Sequence, residues 1–95
     1  GVISLRSHYF TTWPKEELSF LIIESPISPV AIDVSHNRIS SIAPGDIFAL
    51  CKTSSDMQNS LRSFNLSFNH LAFLINEIGL FPNLRRLELQ HNEIT

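Results

Sequence analysis

One cysteine, three glycines and no long apolar run narrow what this 95-residue sequence can be. With Cys51 alone no internal disulfide forms, so the paired-cysteine caps of many secreted folds are excluded and an intracellular, cytoplasmic setting is expected. The glycines stand at positions 1, 45 and 79, so there is no glycine-rich loop to cradle a phosphate, and no cofactor is expected. No stretch approaches the roughly 20 apolar residues that cross a bilayer, and the start lacks a charged-then-apolar leader pattern. Charge of one sign is scarce as well. A net charge of −2 with 17% charged residues makes no basic field, which disfavours nucleic acid and anionic membrane as main partners. What the chain does have is a hydrophobic fraction of 43%, which suits one small folded domain.

Aligning the chain with itself shows an internal repeat. Leu61-Arg62-Ser63-Phe64-Asn65-Leu66-Ser67-Phe68-Asn69-His70-Leu71 superposes without a gap on Leu84-Arg85-Arg86-Leu87-Glu88-Leu89-Gln90-His91-Asn92-Glu93-Ile94. Both read L-x-x-Φ-x-L-x-x-N-x-Φ, with Φ apolar. A third copy runs from Pro29 through Ile32, Val34, Asn37 and Ile39, with proline in place of the first leucine. Alternation with period two turns Ile32 and Val34, Phe64 and Leu66, and Leu87 and Leu89 to one side, as a strand requires. After each strand the chain turns a corner and leaves backbone groups that the ladder no longer satisfies. Asn37, Asn69 and Asn92 fit that need, because an amide both donates and accepts and stacked copies can bond their own turn and the next.

The pattern resembles the leucine-rich-repeat superfamily, whose signature is L-x-x-L-x-L-x-x-N-x-L. The likeness covers about two thirds of the chain once the connecting segments are included. It implies an α/β solenoid of three repeats, intracellular in type and without cysteine caps. A parallel β-sheet would line its concave face, and the chain would end before any C-terminal cap. The expected division is an N-terminal capping segment over 1–28 and repeats over 29–95, with strand signatures at 29–39, 61–71 and 84–94. The asparagines are 32 and 23 residues apart, so the first repeat is long, and its excess falls in a polar insertion over 51–60 on the convex side or at an edge.

Between the signatures, Ile39, Ile42, Pro44-Gly45, Ile47 and Leu50 suit the return path that the resemblance implies, with a short helix starting near Asp46 as its N-cap, which the insertion can extend before a loop. In the shorter repeat Leu74, Ile75, Ile78, Leu80 and Phe81 supply the return wall, and Pro82-Asn83 turns into the next strand. Trp13-Pro14-Lys15-Glu16-Glu17-Leu18 looks like a helix start. The alternation that follows favours a strand over Leu18 to Glu24, an antiparallel neighbour covering the sheet edge, with Ile3, Leu5, Tyr9 and Phe10 in the same cap. At the far end Leu87, Leu89 and Ile94 are expected to be uncovered, which offers a surface for self-association.

With the core positions assigned, the other strand positions form ladders on the concave face at about 4.8 Å spacing. They are Val30, Arg62, Arg85; Ala31, Ser63, Arg86; Asp33, Asn65, Glu88; Ser35, Ser67, Gln90; and His36, Phe68, His91. Most such residues are ordinary solvated positions. Phe68 differs, because an exposed aromatic between histidines fits the anchor of an interface, where aromatic residues and arginine are enriched. The expected partner-binding residues are Arg62, Asn65, Phe68, Arg85, Arg86, Glu88 and His91.

No metal site is expected, since His36 and His91 stand two strands and roughly 10 Å apart while zinc ligands sit about 2 Å from the ion. Asp33, Ser35 or Ser67 and His36 are triad residue types, but an open sheet gives them no oxyanion hole, so no enzyme is expected. The resemblance implies a protein-interaction module of a larger protein. The alternatives are an RNA-associated module of nuclear-export or splicing type, resting on Arg62, Arg85 and Arg86, and a self-associating element of a cytoskeletal or ciliary assembly.

Overall fold

In the computed structural model, residues 1–54 and 56–94 are described; Ser55 in the expected insertion and the terminal Thr95 lie outside them. Four short strands, β1 (Val2–Ser4), β2 (Ala31–Asp33), β3 (Ser63–Asn65) and β4 (Arg86–Glu88), form one parallel sheet in chain order. The register follows the repeat. Ile3, Ile32, Phe64 and Leu87 stand side by side across all four strands. One alternation later come Leu5, Val34, Leu66 and Leu89. In both rows the residues of the first three strands are buried, while Leu87 and Leu89 of β4 are half-buried. Three residues per strand suffice because the ladder bonds continue past each end, as in Val34 N–H to the Asn65 carbonyl at 3.0 Å and Leu66 N–H to the Glu88 carbonyl at 2.9 Å.

Every connection carries the chain back to the start of the next strand, as parallel pairing demands. The returns contain α1 (Lys15–Glu24), then α2 (Pro44–Lys52) with α3 (Met57–Ser60), then a 3₁₀ helix over Asn76–Leu80. Their inward residues close the core: Leu18 and Ile22 from α1, Ile47 and Leu50 from α2, Met57 from α3 and Ile78 from the 3₁₀ turn. Phe64 sits at the centre, fully buried, with its ring 6.1 Å from that of Trp13 and 6.2 Å from that of Phe81.

Two local expectations change. Residues Leu18 to Glu24 are helical. An apolar run as dense as Leu18, Phe20, Leu21, Ile22 and Ile23 satisfies both periods, and the helix wins because Leu18 and Ile22, four apart, reach the core while Phe20 and Ile23 stay exposed. Pro14 just before the helix and Glu16 and Glu17 in its first turn suit that end of the dipole. The strand beside β2 is instead β1, and it runs parallel.

The second change is at α2, whose N-cap is Ala43, three residues before the expected Asp46. Asp46 therefore lies inside the first turn, where its carboxylate accepts the Ala43 N–H at 2.9 Å. Within the insertion, Cys51 and Lys52 finish α2 and a further short helix, α3, buries Met57 fully. Ser60 Oγ donates to the Pro29 carbonyl at 2.7 Å and Gln58 Nε2 to the Leu80 carbonyl at 2.7 Å, tying α3 to the returns on either side.

β1 also reveals a repeat turn within residues 1–28. Ile3 and Leu5 occupy the two core positions, Ser7 has the φ of 60° found at the equivalent corners, and His8 stands where the other turns have asparagine.

Candidate interaction face

The C-terminal ends of the strands are built by the asparagines. Asn69 is buried; its Nδ2 donates to the carbonyls of Val34, Leu66 and Ser67 at 3.1, 3.1 and 3.2 Å, and its Oδ1 accepts the Ile39 N–H at 3.1 Å. It thus bonds its own turn and the one before. Asn92 repeats this one turn on, donating to Leu66 and Leu89 and accepting from Leu71 N–H. Asn37 donates to Leu5, Val34 and Ser35, and its Oδ1 accepts from the main-chain N–H of both His8 and Phe10. With His8 unable to act as the amide does, Asn37 ties down the turn at the start of the chain.

Each asparagine is preceded by a residue in the left-handed backbone region: His36 and Phe68 at φ 56° and His91 at φ 59°. That conformation costs an ordinary side chain roughly 1–2 kcal/mol; histidine is found there more readily, but a bulky phenylalanine is not a usual occupant. The shared φ throws the three side chains the same way from adjacent strands. They stack, with the Phe68 ring centroid 4.2 Å from that of His36 and 4.2 Å from that of His91, at interplanar angles of 11° and 16°. Phe68 is nevertheless 39% exposed. Since an imidazole covers each of its faces, the exposed part is the rim of the ring.

At the opposite end of the strands stand Arg62 and Arg85, exposed and in adjacent strands, with the Arg85 N–H bonded to the Arg62 carbonyl at 2.8 Å. Neither forms an ion pair among the described residues. Arg86 does, through Nη2 to Glu88 Oε1 at 2.9 Å along its own strand. Asn65 is half-buried and turned inward on itself: its Oδ1 accepts the N–H and the hydroxyl of Ser67 at 3.0 and 2.6 Å. The expected site residues thus divide between two rims and a middle strip, with Arg62 and Arg85 at one rim, Phe68 and His91 at the other, and Arg86, Asn65 and Glu88 between them.

One ladder departs from expectation. Ser35 and Ser67 are buried, at 1% and 3% exposure, and only Gln90 of that row is exposed. Small side chains there are overgrown by the turn. Asp33 Oδ1 accepts the Ser35 N–H at 2.9 Å, and Ser35 Oγ has no hydrogen-bond partner among the described residues. His36 was not among the expected binding residues, and the ladder that contains it was the available signal.

Beside the stack, the exposed residues after each asparagine pair along the edge. Arg38 lies 5.6 Å from the Tyr9 ring, and His70 Nδ1 is 3.7 Å from Glu93 Oε2. Among the described residues no three potential ligands gather for a metal ion, and no helix is long and apolar enough to cross a membrane. Burial pushes the Cys51 thiol up, away from the thiolate form that nucleophilic chemistry uses.

Among known proteins, a family model described as a leucine-rich repeat matches residues 82–95, the last of the turns. No curated protein matches the chain, and no solved structure does. That match falls on the last of a series of turns whose parallel strands are joined corner to corner by asparagines, the arrangement that the resemblance to leucine-rich repeats implies.

Proposed function

We propose that the chain is a non-enzymatic interaction module of a larger intracellular protein, a short solenoid that binds another protein on the outward, concave face of its sheet. Leucine-rich repeats generally mediate protein–protein contact and are typically non-enzymatic, which supports the class of function. Residues 29–95 act as the repeats, and residues 1–28 close the edge of the sheet. The single cysteine supports an intracellular setting.

The observation that carries this reading is the His36–Phe68–His91 stack. A phenylalanine held in a backbone conformation that disfavours it, braced on both faces and left open at its rim, is a preorganised anchor of the kind that dominates interfaces. Arg62 and Arg85 at the other rim supply a second contact. Asn65, Arg86, Glu88 and His91 complete the surface between and beside them. An RNA-binding reading has less support, because Arg86 is engaged by Glu88 and the faces of Phe68 that a base would stack upon are occupied.

Phe68→Ala combined with Arg85→Ala is expected to abolish capture of the partner from cell extract by the full-length protein. Circular dichroism and cooperative unfolding should remain. Capture that survives both substitutions places the binding surface elsewhere.

A further inference from the structure

We infer that the outward face takes an extended acidic peptide, whose carboxylates seat on the Arg62–Arg85 pair at one rim and on the ring edges of the His36–Phe68–His91 stack at the other. The inference rests on the reading of this face as the partner-binding surface and specifies the chemistry of the partner.

The first support is an uncompensated charge. Like charges in adjacent strands repel and destabilise a sheet. Arg62 and Arg85 are such neighbours, both exposed, and no carboxylate pairs with either among the described residues. The face does hold two carboxylates, but each is engaged locally, Glu88 by Arg86 and Asp33 by the Ser35 N–H. The arginine pair is therefore left to an anion from outside, which two exposed arginines on neighbouring main-chain segments are suited to receive.

The second support is the polarity of the stack. An aromatic ring is negative on its faces and positive at its edge. Both faces of Phe68 are consumed by imidazoles, so solvent meets the positive edge. The ring nitrogens of His36 and His91 make no hydrogen bond among the described residues, which leaves an N–H of each available to an oxygen acceptor. Both rims thus favour oxygen anions and acceptors, and the Phe68 faces are closed to a base or a cation.

From residue 62 to residue 68 the strand and its corner span at most about 20 Å, so an extended peptide of no more than about six residues reaches from rim to rim.

The test is fluorescence anisotropy of the full-length protein with labelled oligo-glutamate, the matching oligo-glutamine and oligouridylate, over a range of salt. Oligo-glutamate should bind about tenfold more tightly than oligo-glutamine, weaken with salt, and lose about tenfold in affinity in Arg62→Gln with Arg85→Gln. Oligo-glutamine binding as tightly, with loss only on Phe68→Asn, would overturn the acidic specificity and leave the face as a binding surface. Oligo-glutamate binding unchanged in both variants would overturn the face itself. Tighter binding of oligouridylate, or no preference for oligo-glutamate, also overturns the inference.

Discussion

Asn69 concentrates four hydrogen bonds to two successive turns in one buried amide. Asn69→Ala leaves the buried Ile39 N–H unpaired and takes one of two donors from the carbonyls of Val34, Leu66 and Ser67, and should cost about 1–3 kcal/mol in urea unfolding. Asn92→Ala should cost less, because Asn92 is only half-buried and water can replace part of what is lost. Phe68 is a balance of opposing terms. Asparagine at that position relieves roughly 1–2 kcal/mol of left-handed backbone strain but forfeits two ring contacts at about 0.5–1.5 kcal/mol each. Phe68→Asn should therefore cost no more than about 2 kcal/mol while losing partner binding, a separation that unfolding and binding measured on one sample will show. The asparagines were legible in the sequence because their chemistry and spacing follow from the corner they serve. The ladder of His36, Phe68 and His91 was legible too, as positions. That the rings stack face to face was not, because it depends on a left-handed φ that no glycine or asparagine at those positions announces.

The elements show where one-dimensional periodicity runs out. In β2, β3 and β4 polar and apolar residues alternate cleanly, so the sequence fixes which side is buried. In α1 apolar residues occupy nearly every position from Leu18 to Ile23, and period alone cannot choose. The consequence is testable. A strand would bury Leu18, Phe20 and Ile22 together; the helix buries Leu18 and Ile22 and leaves Phe20 64% exposed. Ile22→Ala should destabilise by about 2–5 kcal/mol, and Phe20→Ser should stay within about 0.5 kcal/mol of the parent in thermal or urea unfolding. Comparable losses from the two would restore the strand. The short helix α3 within the insertion was not legible for a related reason: among Ser, Thr, Asp, Asn and Gln the single Met57 carries too little periodic signal to mark it, yet that side chain is fully buried.

At the scale of the molecule, one geometry recurs four times across the sheet, from the turn at Ser7 and His8 to the one at His91 and Asn92. The core side of every turn is fixed by packing and the asparagine by hydrogen bonding, so variation is left to the outward positions, where the aromatic stack and the arginine pair stand. The central claim, that this outward face meets the partner, is tested most directly by a photo-crosslinking amino acid in the full-length protein. It is placed at Ser63, on β3 between the two rims, and in a second sample at Phe48, which is 46% exposed on α2. The account predicts a protein adduct from position 63 and none from position 48; an adduct from position 48 with none from position 63 would contradict it.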